Sequence, residues 1–321
     1  MYTVQAGIVT RIASSQIHGA TIDGAAAPLG TLAELEAKVA AGSMLRLPRG
    51  RIIGTTGIAT ASTLIGAGMG KTIIDATGLV PYENKGVLVP LVSGVTISDL
   101  SIMGATIPEA TEPNTLGGNA AGVRDYSRGV GFKLSNVEIS RCQDGILAFG
   151  SDIEIVGGYI HDNGTGTGQT HNVYVGFWSG RNSFRLTNLL TKSCNGGHEI
   201  KSRAAHTISF GCHHTTGGDG AAYDVPDGGQ LAISDGSMTL PKGSVDPKFI
   251  SYAMEANRNA SVGNIVTVTN EIFHDLTGTG GNIITHDPNA VLTLSGCTYT
   301  GPKPPNITGW GTVNGAITKA A

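Results

Sequence analysis

The sequence predicts an all-β solenoid, in which the chain coils through rungs of similar length. The main observation is a short phrase of two alternating apolar residues followed by a small polar residue or glycine. The spacing between successive phrases never falls below about 21 residues, and the excess varies, as in a coil that loops out between strands. The phrase returns around eight anchor residues: Ile97, Leu134, Ile155, Leu186, Ile208, Ile233, Val268 and Leu294.

Composition supports this fold class and excludes others. Of 321 residues, 48 are glycine, and only 5% are aromatic and 14% charged. That is too much glycine for a helical protein and too many short apolar runs for a disordered one. The net charge of −3 gives no basic field for nucleic acid, and no apolar run approaches the roughly 20 residues that span a bilayer.

The N-terminal part predicts one short helix. Thr31 and Glu34 form a capping box, Leu32 and Leu35 follow helical spacing, and Gly42 ends the segment. We expect this helix to cover the open N-terminal end of the solenoid. Residues 1–30 lack the basic start and compact apolar segment of a secretory signal. We nevertheless expect an extracellular or periplasmic protein, with a phage or surface-associated origin as the alternative.

The remaining chain predicts a single domain. Its expected parts are an N-terminal cap with the first rungs (1–60), the main rungs (61–300) and a C-terminal cover (301–321), the last because its Gly-Pro-Lys-Pro-Pro start is a poor strand former. Excess residues rich in Gly, Pro, Thr, Asn or Asp predict loops on one face. These loops are expected at 105–128, 162–170, 213–221 and 237–248.

Two of the four cysteines, Cys142 and Cys194, are predicted to be buried thiols. The spacing of all four does not match a metal motif. Cys142 and Cys194 each follow an anchor residue by the same offset, with one rung between them that carries Asn163 there. Two rungs lie about 9.5 Å apart, which exceeds the reach of a disulfide.

These features resemble the right-handed parallel β-helix of the pectate-lyase-like superfamily. The resemblance rests on the Leu-Ile-Gly-Ala-Gly run that ends at Gly68, the capping helix, the minimal spacing and the polar turn positions. The runs 171–175, 197–203 and 223–228 are similar to bacterial parallel β-helix proteins of polysaccharide lyase type. The superfamily also contains inverting glycosidases, epimerases and tailspikes, so the resemblance implies the fold more closely than the chemistry.

A second strand in each rung predicts one polar face across residues 171–255. Aligning the apolar positions places Val173, His198, Tyr223 and Tyr252 in one inward column. The same alignment places Tyr174, Glu199, Asp224 and Ala253 in the outward column. Lys201, Arg203, Asp227 and Glu255 stand beside it, so the face is dense in ionisable groups in a chain with few of them. Such a ladder also occurs as ordinary cross-strand pairs.

The face suits an acidic polysaccharide as partner. Cleavage of a uronate polymer by β-elimination needs a base for the C5 proton, a cation for the carboxylate and a proton donor. Lys201 next to Arg203 is the predicted base, with His171, Tyr174 and His198 as further catalytic candidates. The predicted substrate-binding residues are Asn172, Trp178, Arg181, Asp224, Asp227 and Glu255.

The resemblance to lyases of this fold also implies a calcium ion. Glu199, Asp224 and Glu255 are the predicted oxygen ligands. His198 falls on the inward side of its strand and is expected as a core residue unless the strand bulges. His171 stands beside the 162–170 loop, where an exposed side chain is expected.

Two alternatives stay open at this stage. An inverting glycoside hydrolase would use two carboxylates about 6.5–9.5 Å apart, for which Glu199, Asp224 and Glu255 are candidates. A non-catalytic tailspike or adhesin module would hold polysaccharide without cleaving it, as a monomer or a homotrimer.

Overall fold

The computed structural model describes residues 2–5, 8–11, 14–108, 118–125, 129–149, 151–176 and 182–320. The first half of the chain contains helix α1 (Leu32–Glu36) and the strands β1 (Tyr2–Gln5), β2 (Ile8–Arg11), β3 (Thr21–Ile22), β4 (Ala25–Ala26), β5 (Met44–Arg46), β6 (Gly50–Ile53), β7 (Thr56–Ile58), β8 (Thr63–Ile65), β9 (Thr72–Asp75), β10 (Gly86–Pro90), β11 (Val95–Met103), β12 (Ala121–Arg124), β13 (Phe132–Ser140), β14 (Asp144–Ala148), β15 (Ile153–Val156) and β16 (Tyr159–His161). The second half contains a 3-10 turn (Ala260–Val262) and the strands β17 (Val173–Val175), β18 (Ser183–Thr187), β19 (Leu190–Lys192), β20 (Ile200–Ser202), β21 (His206–Phe210), β22 (His213–Thr215), β23 (Ala221–Val225), β24 (Gln230–Ser234), β25 (Ser237–Leu240), β26 (Lys248–Tyr252), β27 (Ile265–Thr269), β28 (Ile272–Asp275), β29 (Asn282–Thr285), β30 (Val291–Ser295), β31 (Thr298–Thr300), β32 (Asn306–Thr308), β33 (Thr312–Asn314) and β34 (Thr318–Lys319).

Apart from the antiparallel pairs β1–β2, β3–β4 and β3–β5, these strands form three parallel ladders along one axis, and the fold is the predicted right-handed parallel β-helix. One ladder is a ten-stranded sheet, here called the site sheet because it contains the predicted polar face, in the order β7, β10, β12, β14, β17, β20, β23, β26, β29 and β32. The other two ladders share the nine-residue strands β11 and β13 and then separate into two strands per rung. Each rung therefore contributes one strand to the site sheet.

The register confirms seven of the eight predicted anchor residues. The chain of pairs runs from Ile97 through Leu134 and Ile155 to Leu186, and again from Ile233 to Leu294. The prediction of Ile208 was wrong, because Leu186 pairs with Ser209. Ser209 can lie inside the solenoid since its hydroxyl is hydrogen-bonded to the Tyr223 hydroxyl at 2.6 Å.

The core is one cluster of buried side chains that runs along the inside of the coil from Ile17 to Cys297. Helix α1 forms with the predicted capping box, in which Thr31 accepts from the Glu34 backbone and Glu34 accepts from the Thr31 backbone. Leu32 and Leu35 are buried in the cluster, while a role of α1 as an end cover stays a prediction. Within the described residues, no helix has the length and apolar character needed to cross a membrane.

Three predicted loops and the predicted C-terminal cover contain strands instead. β12 lies within 105–128, β22 within 213–221 and β25 within 237–248. The segment after 301 adds β32, β33 and β34, which pair in parallel with β29, β30 and β31 and form a last rung. The glycine and proline content of these segments did not predict strands, and each strand is only two to four residues long.

All four cysteines are buried free thiols, as predicted for Cys142 and Cys194. The Cys142 backbone N–H donates to the Asn163 side chain at 2.9 Å, and Asn163 accepts from the Asn195 backbone next to Cys194. The predicted intervening rung is therefore present. Burial raises the pKa of the Cys142 thiol to about 12.

Candidate active site

One outward column crosses four consecutive rungs of the site sheet. Tyr174 pairs with Lys201, Lys201 with Asp224 and Asp224 with Ser251. The predicted column, with Glu199 beside Tyr174 and Ala253 beside Asp224, was shifted by two residues in two strands. A shift of two preserves the alternation of inward and outward residues, so the apolar pattern does not detect it.

Lys201 lies at the centre of this column between two carboxylates. Its Nζ is 3.3 Å from Asp224 and 3.5 Å from Glu255. The Lys201 side chain is 12% exposed, and its ammonium is also 5.8 Å from the centre of the Tyr174 ring. Lys201 is therefore paired with both carboxylates and lies beside the Tyr174 ring.

Arg203 follows β20 and connects three acceptors. Its Nε donates to the Tyr174 hydroxyl at 2.9 Å, and its two terminal nitrogens donate to Asp227 at 2.8 Å and Glu255 at 2.6 Å. The guanidinium therefore has a fixed position beside the Tyr174 phenol, because its planar fork can satisfy all three bonds only in one orientation.

Asp227 supports this arrangement from below the surface and binds a second arginine. It is fully buried, and its other oxygen accepts from Arg258 at 3.2 Å. Asp227 was predicted as a substrate-binding residue, but its burial makes it a positioning residue for two guanidinium groups. Arg258 was not predicted from the sequence, because it lies in an irregular segment after β26 where the residue pattern has no period; its side chain is 49% exposed.

His198 lies at the bend before β20 and not in the core as the alternation predicted. Its Nε2 is 3.4 Å from Asp224, and its Nδ1 accepts from the Ala221 backbone N–H at 2.9 Å. Because Nδ1 is an acceptor, the ring proton is on Nε2 and points to Asp224. Burial lowers the pKa of His198 although Asp224 acts in the opposite direction.

His171 is buried, with 1% exposure, so the prediction of an exposed residue was wrong. Its Nδ1 accepts from the His198 backbone at 3.0 Å, and the two rings stack at 5.1 Å. Burial holds the pKa of His171 well below its usual value. His171 is thus a neutral support for the His198 ring and has no contact with solvent through which it could meet substrate.

Asn172 and Glu199 form a buried turn ladder and not part of the surface. The Asn172 amide donates to Glu199 at 2.5 Å and accepts from Asn163 at 2.9 Å, and Glu199 also accepts from the Cys194 backbone at 3.0 Å. Both side chains are fully buried, and burial raises the pKa of Glu199 to about 7. The predicted substrate contact of Asn172 is therefore wrong.

The three predicted calcium ligands do not come together as a ligand set. Both oxygens of Glu199 are engaged by Asn172 and the Cys194 backbone inside the turn, whereas Asp224 and Glu255 face cationic side chains. Across the part of the chain that the structure describes, no group of three or more His, Cys, Asp or Glu side chains is arranged to hold a metal ion. The donor set therefore does not fit calcium.

Two further predicted substrate-binding residues, Trp178 and Arg181, lie outside the described residues. Glu255 was placed correctly beside the column, and its side chain is 47% exposed. Hydrogen bonds from Arg203 and Lys201 lower the pKa of Glu255, although its partial burial alone would raise it. The site thus presents Tyr174, Lys201, Arg203 and Glu255 around one partly exposed patch.

Comparison with known proteins adds little to this geometry. No protein-family model matches the chain, and no curated protein matches it. A crystal structure of pectin methylesterase in complex with a hexasaccharide is similar over 76% of this chain and 74% of that chain, with 11% identity and a TM-score of 0.44. A similarity of this degree carries no inference about activity, and membership of the pectate-lyase-like superfamily stays a prediction.

Proposed function

We propose that the protein binds an acidic polysaccharide across the site sheet and cleaves it by β-elimination. The observation that carries this proposal is the approach of two cations to one phenol. Arg203 donates to the Tyr174 hydroxyl at 2.9 Å, and the Lys201 ammonium lies 5.8 Å from the centre of the same ring. Two cations beside one phenol suit a group that takes a proton during the reaction, and we therefore assign Tyr174 the role of base.

The structure changes the roles that the sequence suggested. Lys201 was the predicted base, but its Nζ lies between the Asp224 and Glu255 carboxylates, and we assign it the role of proton donor. In the proposed reaction Tyr174 first gives up its phenol proton to solvent, the phenolate oxygen then takes the C5 proton, and the C5–H electrons form the C4–C5 double bond. The C4–O bond breaks, and Lys201 donates a proton to the leaving oxygen.

The substrate carboxylate needs a cation that it can reach. Glu255 is 47% exposed and bonds both Lys201 and Arg203, so it occupies the position that suits a uronate carboxylate. We infer that the incoming carboxylate replaces Glu255 as partner of Arg203. Arg203 then offsets the charge that develops on the sugar when the C5 proton leaves.

Hydrolysis fits the same face less well. An inverting glycosidase needs one protonated carboxylic acid with a raised pKa as well as an ionised carboxylate. Arg203 and Lys201 lower the pKa of Glu255, and Asp224 lies between Lys201 and the Nε2–H of His198. Glu199 has a raised pKa, but it is fully buried and does not reach the surface.

A non-catalytic polysaccharide-binding module is the second candidate. It is favoured by the pairing of each site cation with a carboxylate, since Lys201, Arg203 and Arg258 are bonded to Asp224, Asp227 and Glu255. Such a face is stable without substrate and needs no change of protonation. This candidate predicts binding of acidic polysaccharide without new chain ends.

The test is incubation with a panel of uronate-containing polysaccharides, with calcium and with a chelator. We expect the ultraviolet absorbance of an unsaturated uronate to appear in both conditions. New reducing ends without that absorbance would overturn the proposal in favour of hydrolysis. Binding without either signal would assign the protein to the second candidate, and activity only with calcium would contradict the conclusion that the predicted donor set does not fit calcium.

A further inference from the structure

Phe149 is an aromatic residue of the site face that the sequence analysis did not select. It follows β14, one rung before Tyr174, because Leu147 pairs with Tyr174 and Ala148 with Val175. Its backbone N–H donates to the buried Asp125 carboxylate at 2.8 Å. Asp125 is fully buried, so the point at which Phe149 leaves the strand is fixed.

The neighbouring rung leaves space for this ring at Gly176. A β-carbon at Gly176 would lie 2.5 Å from both Cδ1 and Cε1 of Phe149, which is too close for any real contact. Gly176 is not among the residues with a positive φ, so its backbone does not require glycine. The glycine is therefore needed because one edge of the Phe149 ring occupies the space above it.

Phe149 and Tyr174 together form an aromatic patch. Their ring centres are 6.4 Å apart with an interplanar angle of 54°. Tyr174 is held by Arg203 on its hydroxyl and by an edge contact with His171 at 5.4 Å. Both rings are half-buried, and Phe149 does not belong to the core cluster, so each leaves part of its surface to solvent.

This patch adjoins the charged group along the direction in which the rungs stack. Leu147 and Phe149 belong to one rung, Tyr174 to the next, and Lys201 and Arg203 to the one after that. An oligosaccharide that runs along the stack therefore meets an apolar surface on one side of Tyr174 and cations on the other. The C–H face of a sugar ring packs against such aromatic surface, whereas its carboxylate requires the cations.

We propose that Phe149 and Tyr174 form a subsite for the sugar unit next to the one held by Lys201 and Arg203. The subsite takes the C–H face of a pyranose ring, whether neutral or acidic. The inference rests on the proposed function in one respect, namely that the ligand of the site sheet is a polysaccharide. What it adds is that the Phe149 ring contacts the sugar and that the absence of a side chain at Gly176 leaves room for this ring.

The experiment compares oligosaccharide binding by four proteins with intact chains: wild type, Phe149→Ala, Gly176→Ala and Phe210→Ala. Titration calorimetry with acidic and neutral oligosaccharides of matched length gives the dissociation constants. We expect Phe149→Ala to weaken binding about threefold to tenfold, as for the loss of one aromatic contact. Gly176→Ala should act in the same direction because its methyl group displaces the ring. Phe210 is 50% exposed on another ladder, and Phe210→Ala should bind as wild type.

The outcomes separate this inference from the proposed function. Unchanged binding by both Phe149→Ala and Gly176→Ala, with a wild type that binds acidic chains, would overturn the subsite alone. A wild type that binds only neutral chains, weakened by Phe149→Ala, would support the subsite and overturn the acidic substrate. A wild type that binds no oligosaccharide would overturn both.

Discussion

The hydroxyl of Tyr174 accepts a hydrogen bond of 2.9 Å from Nε of Arg203 across neighbouring rungs of the solenoid. The guanidinium has no hydrogen-bond acceptor, so the phenol O–H must donate to a different group. Arg203 itself is held by Asp227 and Glu255. Tyr174 pairs with Lys201 in the sheet, but the position of its hydroxyl is set by Arg203, two residues after Lys201.

Tyr174→Phe should reduce kcat at least about 100-fold and leave KM within about threefold, because it removes the proposed base and no other atom. The thermal midpoint should change little. The measurement is the steady-state rate of formation of unsaturated product. Tyr299→Phe, on the ladder of β31, is the matched control and should retain activity. Full activity of Tyr174→Phe would exclude Tyr174 as the base.

Glu255→Gln should lower KM for acidic oligosaccharides by up to about fivefold, because it removes the charge that competes with the substrate carboxylate for Arg203 and Lys201. The KM for esterified, uncharged substrates should not decrease. Glu154→Gln is the control, since Glu154 is in a partly exposed pair with Lys133 at 3.0 Å on another ladder. An increase in KM for the acidic substrates would show instead that Glu255 contributes to binding.

Asp227→Ala should destabilise the fold by about 3–5 kcal/mol, because it leaves the guanidinium groups of Arg203 and Arg258 without their shared buried carboxylate. Denaturant unfolding at pH 7 measures the change. Asp219→Ala, at an exposed position, should be nearly neutral. Equal effects of the two substitutions would contradict a positioning role for Asp227.

Asp144→Asn should stabilise the protein at alkaline pH. Burial raises the pKa of Asp144 to about 8, against about 4 for an unfolded chain. A carboxyl with a raised folded-state pKa contributes its full stability below the unfolded value and loses it as pH rises through the folded value. The substitution removes this loss, while the new amide oxygen can still accept from the His171 backbone N–H, as Asp144 does at 2.7 Å.

The expected difference is a higher unfolding free energy of Asp144→Asn than of wild type, by more than about 1 kcal/mol at pH 8.5. The difference should shrink steadily as the pH falls towards 4. Unfolding curves at four pH values give this profile, with Asp219→Asn as control. A difference that does not depend on pH would mean that the carboxyl does not ionise within this range.

The fold could be predicted because the repeat is carried by buried apolar residues whose spacing varies but does not fall below about 21 residues. The error at Ile208 has a local cause, since the rung from His206 places Thr207 and Ser209 inside. A buried polar network makes this possible: the Tyr223 hydroxyl is 2.6 Å from Ser209 and 2.7 Å from His214. A search for periodic apolar residues cannot detect a rung whose inward-facing side chains are polar and hydrogen-bonded to each other.

The site could be predicted only as a region. The face from 171 to 255 contains the charged cluster, with Tyr174, Lys201 and Asp224 in its outward column. Two-residue shifts in the register decided which side chains reach the surface, and His198 and Glu199 belong to a bend and not to β20. Asn172 and His171 are polar for reasons of turn structure, and a sequence does not distinguish such residues from ligand-binding ones.

The column of Tyr174, Lys201 and Asp224 draws one member from each of three successive rungs. Each rung contacts mainly its two neighbours, so its replacement by a rung of equal register leaves the rest of the coil in place. The chemistry of this surface is therefore modular in a way that a site built from distant loops is not. Recombination that exchanges or inserts a single rung would change one functional group, or extend the surface by one row of side chains, while the strands on either side keep their pairing.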